Sequence, residues 1–194
     1  MARKPTPGAR ERILDVAADL FYEHGVHEVG LQQVIDGCGC GKNLLYREFS
    51  SKDDLIVAWL ERCSADADSA FGAATEPLSG DPRAQLLAIV RTIAGDTTDP
   101  GFQGCAIRNT HAEFHDRAHP VHQVAVDYFR ALRSRLRRLA KQAGATDPGA
   151  LADRLLLVID GLVTNSAILG PKGPAASAVA LAADIIDAAI PAPT

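Results

Sequence analysis

Residues 37–42, GCGCGK, place two thiols, three glycines and a lysine within six positions. Two cysteines one residue apart can supply half of a tetrahedral thiolate site, close a small redox ring, or serve as two small hydrophobes beside a tight turn. No His and no third Cys stands near them in sequence, so they complete no four-ligand site on their own. A phosphate-cradling loop fails outright: that motif needs Ser or Thr after its Gly-Lys, and here Asn43 follows Lys42. His111, His115, His119 and His122 form a second concentration. His111 and His115 are four apart, as two zinc ligands on one helix face are, but Ala112 stands where a zinc hydrolase carries its Glu. Glu113 and Asp116 lie nearby without a catalytic spacing, and neither a G-x-S-x-G turn nor a dinucleotide glycine fingerprint occurs. The reading is a chain with no catalytic residue, no metal ligand and no cofactor, and so not an enzyme.

The elements that would position these residues are all helical. Ile13, Leu14, Ala17, Leu20 and Phe21 recur at helical spacing ahead of Gly25, which predicts a helix over roughly 10–24. Leu31, Val34, Ile35 and Cys38 repeat the i, i+3, i+4, i+7 pattern over a short second helix, and Lys42 to Phe49 forms a third. A capping box, Ser50 with Asp53 or Ser51 with Asp54, opens a fourth helix that extends to about Ala73. Helices over 82–95, 105–115, a long one from Pro120 to Gly144, 148–169 and 174–190 complete an all-α chain of about nine helices. The 194 residues carry a net charge of -4, so no general basic field of a nucleic-acid coat is present. Arg130 to Lys141, six basic residues without an acid, reads as a solvated helix face. Four cysteines are too few for a disulfide framework, so reduced thiols are expected. With no apolar run long enough to span a bilayer and no secretory signal, the expectation is a soluble cytoplasmic protein that meets no membrane.

Two helices under three turns behind a longer one suit a helix-turn-helix, with Gly39 supplying positive φ in the turn and Cys38 and Cys40 packing as small hydrophobes. The third helix would project Lys42, Asn43, Leu44, Tyr46, Arg47 and Glu48, while Leu45 and Phe49 face inward. The run RERILDVAADLFYEHGVHEVGLQQVIDGCGCGKNLLYREFSSKDDLIVAWL resembles the DNA-binding domain of the TetR family of transcriptional regulators. Ile13, Leu14, Ala17, Leu20, Phe21, Gly25, Val34, Gly39, Leu45, Tyr46, Phe49, Lys52 and Leu55 carry the resemblance over about residues 10–60, and GCAIRNTHAEF followed by HPV is a shorter, weaker match.

The resemblance implies a flexible basic arm at 1–9, a helix-turn-helix DNA-binding domain at 10–51 and a ligand-binding and dimerisation domain at 52–194. It implies a homodimer on a palindromic double-stranded DNA operator, repressing transcription until a small-molecule effector releases it. Tyr46 and Lys52 match positions that contact phosphate, and Lys42, Asn43, Leu44 and Arg47 match positions that face the groove. Gly30 and Gly41 stand where Thr and Ser commonly cap the second and third helices, which removes two hydroxyls from the expected phosphate contacts. Trp59, Phe102, Tyr128 and Asn165 fall where such a domain surrounds its cavity, and Asn109 and Asn165 stand out as amides amid apolar helices, where a buried amide needs a partner. The apolar last two helices are expected at the dimer interface. Two alternatives stay open: a thiol or metal sensor on the same scaffold, and a helical small-molecule-binding protein whose DNA module is degenerate.

Overall fold

Ile13, Leu14, Ala17 and Phe21 make the buried stripe of α1 (Ala9–His24), closed by Gly25, whose N–H donates to the Phe21 carbonyl. The computed structural model describes residues 8–191. Among these residues there are nine α-helices, two 3-10 turns and no strand, so the all-α reading holds. The remaining helices are α2 (Leu31–Cys38), α3 (Lys42–Glu48), α4 (Lys52–Thr75), α5 (Pro82–Asp96), α6 (Ala106–Glu113), α7 (Pro120–Gln142), α8 (Pro148–Leu169) and α9 (Ala178–Ala189). The last helix begins four residues later than its apolar pattern suggests. Pro174–Ser177 is a 3-10 turn in which the Ala176 N–H donates to Gly173, an i→i+3 bond that α geometry does not use.

The chain forms two compact units. One holds residues 8–64 with Ala106–Ala125; the other holds Ala65–Cys105 with residues 126–191. In the first unit α1, α2 and α3 pack on one another, and α4 is tied to α1 by Arg62, which reaches Asp15 Oδ1 at 2.5 Å and the Leu14 carbonyl at 3.2 Å. Trp59 on α4 is buried against Phe21, their ring centroids 5.4 Å apart. Of the two capping boxes the sequence allowed, Ser51 is the one that caps: its Oγ accepts the Asp54 N–H at 3.0 Å. The Asp54 carboxylate then turns back to Ser50 instead of to Ser51.

In the second unit α5 and α8 both start on Asp-Pro. Asp81 accepts the Ala84 N–H, and Asp147 accepts those of Gly149 and Ala150. Leu86, Ile89, Leu136, Leu151, Leu155 and Ile186 are almost fully buried where α5, α7, α8 and α9 meet. Each such side chain contributes about 1.5–3 kcal/mol of burial. The basic face of α7 is indeed a solvated one, with Arg133 paired to Asp153 and Arg135 to Asp68.

Candidate functional site

The helix-turn-helix rests on two glycines with different duties. Gly39 adopts φ 60, the left-handed conformation that ends α2 and turns the chain toward α3. Gly37 lies inside α2, where a Cβ would stand 2.6 Å from Val16 Cγ1 on α1. Its small size sets how closely the two helices approach. Gly30 and Gly41 are extended N-caps without a side-chain bond; Gln33 reaches back to the Gly30 N–H at 2.6 Å and so supplies half of a capping box.

The thiols are not reduced as expected. Cys38 and Cys40 are joined by a disulfide, because the left-handed Gly39 between them folds the chain until their Cα atoms are 5.3 Å apart. Cys63 and Cys105 remain thiols.

Leu45 and Phe49 anchor α3, 0% and 1% exposed. Their burial turns Lys42, Asn43, Tyr46 and Arg47 outward, with Leu44 half-buried beside them. The Lys42 ammonium lies 5.9 Å from the Tyr46 ring centroid, and the Arg47 guanidinium bonds the neighbouring Glu48 carboxylate at 3.0 Å. Lys52 stands half-buried at the start of α4. Arg10 is drawn into the module: Nη1 donates to the Glu48 carbonyl at 2.6 Å and the guanidinium lies 4.2 Å from the Phe49 ring centroid. A cation thus sits at the C-terminal end of α3, where the helix dipole favours it. Residues 1–7 of the expected basic arm lie outside the described residues, and Ala9 is already buried within α1.

Glu113, given no role by its sequence spacing, closes α6 onto the α1–α2 connection. Its carboxylate accepts the N–H groups of Val26 and His27, and the His27 ring donates to its carbonyl. His111, His119 and His122 pair with partners on other elements. His111 Nε2 is 2.9 Å from His122 Nδ1, and His119, stacked on Phe114, is 3.2 Å from Asp53. Among the described residues no three His, Cys, Asp or Glu side chains converge on a point suited to a metal ion.

A cavity of about 180 Å³ opens in the second unit. Phe71, Phe102, Tyr128 and Phe129 give it aromatic walls, and Asp96 and Asp160 are its carboxylates. Of the residues expected around a ligand, Phe102 and Tyr128 meet here. Asn165 instead lines a groove between α8 and α9 with Leu157, Gly161 and Leu181, and its amide donates to the Gly161 carbonyl of its own helix at 2.8 Å. Asn109 is exposed on α6, which removes the reason for choosing it as a buried amide. Trp59 belongs to the first unit, packed on Phe21. Leu157, Ile168, Leu169 and Leu181 remain exposed on α8 and α9, Leu157 at 73% and Ile168 at 74%. No helix of the described residues is long and apolar enough to cross a membrane.

Residues 13–59 match the family described as bacterial regulatory proteins, tetR family, and residues 110–191 match the C-terminal part of BetI-type transcriptional repressors. The fold is similar to the crystal structure of SCO4454, a TetR-family transcriptional regulator from Streptomyces coelicolor, at TM-score 0.89 and 30% identity over 93% of this chain and 95% of that one. Curated relatives match over shorter stretches. The transcriptional activator FasR of Mycolicibacterium smegmatis is 37% identical over 60 residues, 31% of this chain and 27% of its own. The transcriptional repressor KstR2 of Rhodococcus jostii is 33% identical over 87 residues, 44% of this chain and 41% of its own. These matches therefore span well under half of either relative's length.

Proposed function

Because the chain belongs to the TetR family of bacterial transcriptional regulators, we propose that it acts as a homodimeric repressor, released from a palindromic operator by a small-molecule effector. The observation that carries the DNA reading is the mounting of α3: Leu45 and Phe49 are fully buried, and the polar residues of the same helix stand outward. In this reading residues 10–51 are the DNA-binding domain and 52–194 the ligand-binding and dimerisation domain. Lys42, Asn43, Leu44 and Arg47 enter the major groove, and Tyr46 and Lys52 hold phosphate. The exposed apolar residues of α8 and α9 support a dimer face there, since so many large apolar side chains on one surface favour a partner. The cavity supports an effector site. Its Phe102–Cys105 wall runs directly into α6, whose last residue, Glu113, clasps the connection between α1 and α2. An effector that prefers one position of α6 would shift the spacing of the two recognition helices in proportion to that preference.

The test is an electrophoretic shift with DNA from upstream of the chain's own gene, at several salt concentrations. A complex weakened by salt and by the cavity's ligand supports the reading; the absence of salt-sensitive binding at any site favours a helical ligand-binding protein with an idle DNA module.

The Cys38–Cys40 disulfide favours a second reading, a thiol sensor on the same scaffold. Peroxide would oxidise one thiolate to a sulfenic acid, with loss of hydroxide. The second thiol would then displace water to form the disulfide, and a dithiol reductant would return both thiols.

A further inference from the structure

We infer, and the inference rests on the DNA-binding reading of α3, that Glu48 is a positioning residue which aims the Arg47 guanidinium at a guanine in the major groove. Arg47 Nε and Nη2 both donate to Glu48 Oε1, at 3.1 and 3.0 Å. A guanidinium carries five N–H donors in one plane. With the Nε edge taken, the end-on edge, one N–H from each Nη, stands as a two-pronged fork that matches the O6 and N7 acceptors of guanine. The Glu48 side chain is the inner member of the pair, 20% exposed against 40% for Arg47. The acid therefore backs the cation, and the fork is what the helix presents outward.

Glu48 is itself fixed. Its carbonyl accepts the Arg10 Nη1–H at 2.6 Å, and Arg10 lies over the ring of the buried Phe49. An ion pair this exposed adds little to stability. What it supplies is orientation, since an arginine already held loses less rotamer freedom when it meets a base. Arg47 is four residues from Asn43, so the two share one face of α3, with Cβ atoms about 5–6 Å apart. Base pairs are about 3.4 Å apart along the groove, which puts the guanine one or two pairs from the base that Asn43 meets. A phosphate also accepts such a fork; the face shared with Asn43 is what favours the base. Lys42, the other cation that α3 turns outward, is a point charge without a fork, and it lies beside the Tyr46 ring.

The full chain is used to select duplexes from a pool randomised over about 20 base pairs, and their binding is then measured by fluorescence anisotropy. Duplexes selected by the parent should carry a guanine that Arg47→Lys, which keeps the charge and loses the fork, no longer selects. Replacing that guanine by 7-deazaguanine, which lacks the N7 acceptor, should weaken parent binding about tenfold and leave Arg47→Lys binding unchanged. Glu48→Ala should lower the guanine preference about fivefold or more while raising affinity for duplexes that lack the guanine, because a negative charge near the phosphates is gone. A variant that merely loosened α3 would lower both. Glu48→Gln keeps an acceptor oxygen and should restore the preference. Arg47→Lys selecting the same guanine, or weakening all duplexes alike as loss of a phosphate contact would, overturns the inference. So does a guanine preference in Glu48→Ala equal to the parent's. Should Glu48→Ala unfold, Glu48→Met, equal in length, makes the same comparison. A pool from which the parent enriches no sequence overturns the DNA reading and this inference with it; an enriched sequence without an Arg47-dependent guanine overturns the inference alone.

Discussion

Glu113 and His27 hold each other through two hydrogen bonds of 2.9 Å: the His27 backbone N–H donates to Oε2, and the His27 ring Nε2–H donates to the Glu113 carbonyl. Oε1 takes the N–H of Val26, whose side chain is fully buried. Glu113→Ala leaves that N–H without its acceptor and should lower stability by about 1–3 kcal/mol, read as a lower urea midpoint. Glu113→Gln keeps one acceptor oxygen and should fall between the two. Equal midpoints for all three proteins would show that the clasp holds nothing.

Gly37→Ala sets two effects against each other. Helix propensity favours Ala by about 1 kcal/mol. The new Cβ, 2.6 Å from Val16 Cγ1, meets a β-branched side chain whose χ1 is restricted in a helix, and such overpacking costs about 1–3 kcal/mol. A net loss of about 1 kcal/mol is expected in denaturant unfolding, and adding Val16→Ala should recover it. A Gly37→Ala protein at least as stable as the parent would contradict the close approach.

How much of this was open to reading from the residues divides along contact distance. The buried stripe of α1, the turn at Gly39 and the inward Leu45 and Phe49 follow from spacing within one or two helices. The clasp of Glu113 joins residues 86 apart, and the fit of Gly37 on Val16 depends on how two helices pack, so neither leaves a local pattern. Asn109 misled because an amide between apolar residues is not thereby buried: α6 turns Ile107 and Thr110 inward and leaves Asn109 outside. Asp96 and Asp160 lie on separate helices and come to line one cavity only in the fold. The disulfide was missed because cysteine count speaks to a framework, whereas a single link across Gly39 depends on one backbone conformation.

Reduction should matter at α3 if the thiol reading holds. With the Cys38–Cys40 link opened by a dithiol, DNA affinity should change by about fivefold or more, and Cys38→Ala with Cys40→Val should abolish the response. The same affinity in oxidised and reduced protein would make the link a purely structural one.

Asp54 gives the start of α4 a pH dependence. The Ser50 hydroxyl and N–H donate to its carboxylate at 2.8 and 3.1 Å, and the hydroxyl bond is the main cause that lowers its pKa from 3.8. The folded state thus favours the carboxylate. The stabilisation is present above the ordinary value and lost as pH falls through the lowered one. Ser50→Ala should therefore lower the urea midpoint slightly at neutral pH, as expected for a solvent-exposed bond, and leave it unchanged once Asp54 is protonated. An equal cost at both extremes would assign the loss to packing.

DNA readout by α3 is tested most directly by one titration: fluorescence anisotropy of the full chain with its upstream operator and with a scrambled duplex, over a range of salt. Tyr46→Phe and Lys52→Ala should weaken both duplexes alike, with Lys52→Ala lowering the salt slope by about 1. Asn43→Ala should narrow the gap between operator and scrambled duplex by about 1–3 kcal/mol. A parent protein that binds both duplexes equally, or an Asn43→Ala variant that discriminates as well as the parent, would contradict base readout by this helix.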